Sequence, residues 1–90
     1  MHIVSGFILR EIAGETVAIP SGDSAHRLSG LVALNESGAF LFRLLQSEQA
    51  AEGLVQALLD NYEIDAATAE TDVAEFLAML RRNNFLVETP

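Results

Sequence analysis

The stretch GLVALNESGAFLFRLLQ, residues 30–46, changes its periodicity in the middle. Leu31, Val32, Ala33 and Leu34 form a short apolar run suited to a strand, whereas from Ser37 onward Phe40, Leu41, Leu44 and Leu45 recur at helical spacing. Asn35 stands at the switch, where a short polar side chain suits a helix N-cap. A strand joined to a helix through one capping residue is held rigidly at that end. Fold and function both turn on whether this strand lies inside a sheet or along an open edge.

Toward the N-terminus, FILREIAGETVAIP reads as a β-hairpin. Ile8, Arg10 and Ile12 share one register, Val17 and Ile19 follow the turn at Ala13-Gly14, and Gly14 supplies the positive φ that a tight turn needs. Pro20 ends the second strand, and SGDSAHRLSG has the composition of an exposed loop before a third strand at about residues 30–34.

Toward the C-terminus the pattern is helical. A first helix spans residue 36 to about residue 45. Ser47 is the expected N-cap of a second, in which Ala51, Leu54, Val55, Leu58, Leu59 and Tyr62 share a face. Asp65 is the expected cap of a third, carrying Ala69, Val73, Phe76, Leu77 and Leu80, with Arg81 and Arg82 near its negative end. The final FLVET reads as a short strand or a tail. Strands followed by helices indicate an α+β domain, an N-terminal antiparallel three-stranded sheet and then three α-helices, an order that also describes a winged helix-turn-helix. Ninety residues allow a single domain, residues 1–90, with one modest core.

The composition narrows the chemistry. There is no cysteine, which excludes disulfides, thiolate catalysis and Cys-based metal sites. The longest run free of Asp, Glu, Lys and Arg is the first nine residues, too short to span a bilayer, and no signal peptide is visible, so the reading is cytoplasmic without membrane attachment. Thirteen acids face five bases, all Arg, and residues 48–75 hold eight acids and no base. Such a field repels phosphate and anionic lipid and attracts basic peptides.

Catalytic inventory is poor. His2 is expected at a mobile terminus, and Asp23, Ser24 and His26 lie too close together on one loop to reach triad geometry or to define a metal polyhedron. No lysine is available for a Schiff base and no glycine-rich loop opens a helix, so neither covalent amine catalysis nor a nucleotide cofactor has its usual parts. The expectation is a non-enzyme without metal or cofactor. DNA binding is disfavoured because the third helix carries Glu70, Asp72 and Glu75 where a recognition helix needs bases.

Three stretches resemble the PqqD family. LNESGAFLFRLLQ is similar to its strand-to-helix signature, LVQALLDNYEIDAATAETDVAEFLAMLRRNNFL to its second and third helices, and GFILREIAGETVAIPSG to the hairpin of free-standing members. The more specific points are Asn35 and Gly38 before the apolar helix, and Asp65 and Asp72 flanking AATAET. The resemblance implies a module that recognises the leader segment of a ribosomally made precursor peptide and presents it to a modifying enzyme, typically a radical S-adenosylmethionine protein. It implies that the leader adds as a strand beside Leu31, Val32, Ala33 and Leu34 and packs against the third helix.

On that helix Asp72, Phe76, Met79 and Asn83 form a stripe beside the core face; Phe76 and Met79 would wall the groove, while Asp72 and Glu75 would receive a basic leader residue. The competing expectation is that residues 86–88 cover this edge and close the sheet, leaving a structural or dimerisation module. Edge-to-edge pairing in a homodimer would hide the same site.

Overall fold

The computed structural model describes residues 1–21 and 31–88. The order is β1 (His2–Ile3), β2 (Phe7–Ile12), β3 (Glu15–Pro20), β4 (Val32–Leu34), α1 (Glu36–Leu44), α2 (Ala51–Asn61), α3 (Ala66–Arg82) and β5 (Leu86–Val87). The fold is α+β, with a three-stranded antiparallel sheet in the order β2-β3-β4 and three helices after it. The loop residues Asp23, Ser24 and His26, set aside above as a catalytic or metal set, lie outside the described residues.

The hairpin forms around Ala13 and Gly14, whose φ values of 53° and 83° are both positive, the requirement of a type I′ turn. Its register pairs Ile8 with Ile19 and Arg10 with Val17, and β3 then pairs Val17 with Ala33 and Ala18 with Val32. One face of this sheet meets the helices. Phe7 reaches from β2 to Phe42 of α1 and to Phe85, edge to face, with ring centroids 5.5 and 4.9 Å apart. Ile8 and Ile12 lie on the other face, and with Leu31 they are the exposed large apolar side chains among the described residues.

The buried side of α3 is Ala69, Val73, Phe76, Leu77 and Leu80, as its spacing predicts. The face of α1 is different from the expected one. Leu41, Phe42 and Leu45 are buried, whereas Phe40 and Leu44 are only partly so, because α1 is wedged between the sheet and the other helices and buries more than one stripe. Phe40 instead packs edge to face on Tyr62 at the end of α2.

Two further expectations are corrected. Ser47 does not cap α2; its hydroxyl donates to the Leu44 carbonyl, and the helix starts later, after Ala50, without a side-chain cap. The cause is a backbone pairing between Gln49 and Met1, N–H to carbonyl in both directions at 2.8 Å, which holds this segment out of the helix. Nor is His2 at a free end. It lies in β1, pairs with Val87 in β5 and bonds Glu48 through Nδ1 at 2.9 Å, while the Met1 ammonium contacts the same carboxylate.

This second small sheet decides the fate of the C-terminal strand. After α3, Asn84 takes the left-handed conformation (φ 59°), the Phe85 N–H returns to the Leu80 carbonyl and the Asn84 N–H to that of Arg81, a Schellman stop with buried Phe85 and Leu80 in contact range of one core. The turn sends Leu86–Val87 to β1, away from β4. The sheet is therefore not closed by residues 86–88.

Candidate functional site

With β5 engaged elsewhere, β4 pairs on one side with β3 and has no strand on its other side among the described residues. An unpaired edge leaves backbone N–H and C=O groups directed at solvent, where an extended chain can satisfy them. A single residue separates this strand from α1. Asn35 accepts from the Gly38 N–H at 2.7 Å and from the Ser37 hydroxyl at 3.2 Å, so the cap fixes the angle at which the strand meets the helix.

Opposite the edge runs α3. Between the two lies a cleft of ≈ 240 Å³, with Ala33, Leu34 and Asn35 on one wall, Asp72, Glu75, Phe76 and Met79 on the other, and Ser37, Gly38 and Leu41 from α1 as its floor. Phe76 belongs to both core and cleft, 9% exposed and closing the bottom of the wall. Met79 is half-buried at the same wall, and Asp72 and Glu75 bring two carboxylates to it with no ion-pair partner among the described residues.

Of the residues singled out from sequence, the cleft brings together Ala33, Leu34, Asp72, Glu75, Phe76 and Met79. Leu31 and Val32 do not line it; Val32 continues the edge and Leu31 precedes it, exposed. Asn83 is not brought in either. Its amide donates to the Met79 carbonyl at 2.8 Å and so closes the last turn of α3. The floor was missed by periodicity, although Gly38 carried a signal: a Cβ there would sit 2.9 Å from Asn35 Oδ1 and 3.5 Å from Phe76 Cε1. Only glycine lets the cap form and leaves the floor open.

The arrangement has the parts for binding an extended peptide: a ladder edge, an apolar pocket for alternate side chains, and two carboxylates for a cation. It is poorly suited to duplex DNA. α3 is third in helix order, as a recognition helix would be, yet it exposes Glu70 and Glu75 and carries a part-buried Asp72. No group of three His, Asp or Glu suited to a metal occurs among the described residues, and no helix there is long and apolar enough to cross a membrane.

A family model described as Coenzyme PQQ synthesis protein D (PqqD) matches residues 15–86. The chain is also similar to two solved structures. The first is described as TbiB1 in complex with the TbiA(beta) leader peptide, with a TM-score of 0.73 at 23% identity over 100% of this chain and 99% of that one. The second is a lasso peptide synthetase B1 complexed with the leader peptide, with a TM-score of 0.70 at 17% identity over 97% of this chain and 96% of that one. At these identities the likeness establishes the fold. No curated protein matches the sequence.

Proposed function

Because the chain belongs to the coenzyme PQQ synthesis protein D (PqqD) family, we propose that it binds the leader segment of a ribosomally made precursor peptide by strand addition beside β4. The observation that carries this reading is the open β4 edge forming one wall of a cleft whose other wall is α3. The leader backbone completes the ladder, alternate side chains enter between Phe76 and Met79, and a Lys or Arg meets Asp72 and Glu75. Val32 and Ala33 belong to the edge, Leu31 precedes it, and Asn83 supports the helix end from outside the cleft. Both similar structures are described as leader-peptide complexes, which supports the same use of the shared fold.

On this reading residues 1–90 act as one cytoplasmic binding domain, with no reaction, cofactor or metal of their own. The bound leader is presented to a modifying enzyme, of the radical S-adenosylmethionine type that the family resemblance implies. A homodimer pairing β4 edges would be dissolved by the leader, since both need the same backbone groups.

The test is an NMR titration of labelled protein with candidate leader peptides, each also made with N-methyl groups at alternate positions. Strand addition requires shifts at residues 31–34 and 72–79, and loss of affinity from one alternate set of N-methyl groups but little from the other, because only every second N–H faces the edge. Shifts confined to other surfaces, or equal loss from both sets, would sink the reading.

A further inference from the structure

The leader cleft uses one side of α3; its other side borders a second groove. This groove, of ≈ 510 Å³, lies between α2 and α3, with Ala51 and Val55 on one wall and Val73, Ala74 and Leu77 on the other. At about 100° per residue, the residues α3 gives to this groove lie roughly half a turn from Asp72, Glu75, Phe76 and Met79. The two sites can be filled together.

We propose that the α2–α3 groove docks an amphipathic helix of a protein partner, one that carries Lys or Arg beside its apolar stripe. The α3 wall is open to solvent at Ala74, whose small side chain lets another helix come close. From Glu70 to Arg81 the wall runs about 17 Å, which matches roughly three turns of a docked helix. An extended peptide is a poor occupant, because both walls are helices whose backbone groups are already paired and no ladder edge is offered.

Charge selects the partner. Glu52 and Glu70 stand one on each wall, and neither has an ion-pair partner among the described residues. The cation at the rim, Arg81, is occupied by Glu88, with Nε and Nη2 donating to one carboxylate oxygen at 3.1 and 2.7 Å. A basic helix therefore meets two free carboxylates. A second copy of this chain does not fit, since its net charge of −8 opposes self-docking and α2 contains no basic residue.

The groove can be probed without its natural partner. Labelled protein is titrated with a model amphipathic Leu/Lys helix and with its Leu/Glu counterpart. The expected result is shifts at residues 51–56 and 70–81 for the Leu/Lys helix, with affinity at least about tenfold above that for Leu/Glu. Ala74→Lys blocks the α3 wall and Glu63→Gln, outside the groove, raises the net charge equally; binding should fall at least about tenfold in the first and little in the second, with Tm unchanged in both. Shifts spread over Glu11, Glu15 and Glu36, shifts at residues 31–34, no binding, or equal loss in the two variants would each overturn the proposal. Leader titration of Ala74→Lys separates the two sites: an unaltered leader Kd leaves the β4 reading standing whatever happens at the groove.

Discussion

Asn35 and Gly38 show how two residues set the geometry of an open strand edge. The Asn35 carboxamide satisfies an otherwise orphan N–H of α1 and also hinges β4 to that helix. Asn35→Ala should lower stability by about 1 kcal/mol, which for a chain of this size is about 4–8 °C in Tm, while Asn35→Asp, an equally good cap, should leave Tm nearly unchanged; thermal denaturation by circular dichroism checks both. Gly38→Ala is different in kind. Alanine gains about 1 kcal/mol of helix propensity, but its methyl would stand 2.9 Å from the capping oxygen and must displace it, so the two effects nearly cancel in Tm. The methyl would also rise from the cleft floor toward Phe76, and leader affinity should fall about tenfold, measured by titration calorimetry. A third residue, Asp65, caps α3, and the Thr68 N–H it accepts at 2.8 Å holds its carboxyl below the ordinary 3.8. A carboxyl lowered in the folded state stabilises fully above its unfolded value and loses that contribution as pH falls through the folded one. Tm should thus be flat near neutrality and drop below about pH 4. In Asp65→Asn, which caps without titrating, the Tm deficit relative to the parent should shrink over that acid range; a deficit independent of pH would refute the assignment.

At the level of elements, what was legible in the sequence was local, and what was not depended on pairing between distant segments. The 3.6-residue spacing of Ala69, Val73, Phe76, Leu77 and Leu80 located the buried side of α3, and Asp65 announced its start, because both signals lie within one helix. That Asp72, Glu75, Phe76 and Met79 share one side of that helix was legible for the same reason, and the structure sets all four along the cleft. Asn83 continues that spacing but does not line the cleft, because its amide closes the last turn of α3 just before the Schellman stop. β1 could not be read at all: two residues carry no periodicity, and their pairing with Leu86–Val87 joins positions more than eighty residues apart. The hairpin turn was read from Gly14 alone, yet Ala13 also occupies positive φ, where its Cβ crowds the carbonyl. Ala13→Asn should therefore stabilise the protein by about 1 kcal/mol, as Asn-Gly is the preferred pair for this turn. A rise in the urea midpoint with an unchanged m-value would show it; no rise would mean that the strain at Ala13 is relieved elsewhere in the hairpin.

For the whole molecule, the excess of acid is organised along with the fold. Residues 48–75, which hold eight acids and no base, build α2 and most of α3, so the negative field is centred on the helices that wall both grooves. On the strand-addition reading, a leader carrying Lys or Arg is drawn toward α3 before any ladder bond forms, and the attraction acts mainly on the association rate. Screening length falls from about 30 Å at 0.01 M salt to about 3 Å at 1 M, whereas a backbone ladder and apolar contacts are barely screened. Stopped-flow measurements with a basic leader should accordingly show kon falling steeply across this range while koff changes little. A leader with its basic residues replaced by Gln should lose most of that dependence. In the double variant Asp72→Asn/Glu75→Gln the equilibrium loss for the basic leader should be modest, up to about fivefold per exposed pair, and the same leader should retain a weaker salt dependence, since the remaining acids of α2 and α3 still contribute. If the double variant abolished the salt dependence altogether, the steering would belong to the two cleft carboxylates alone, and the field of the helical half would have no part in capture.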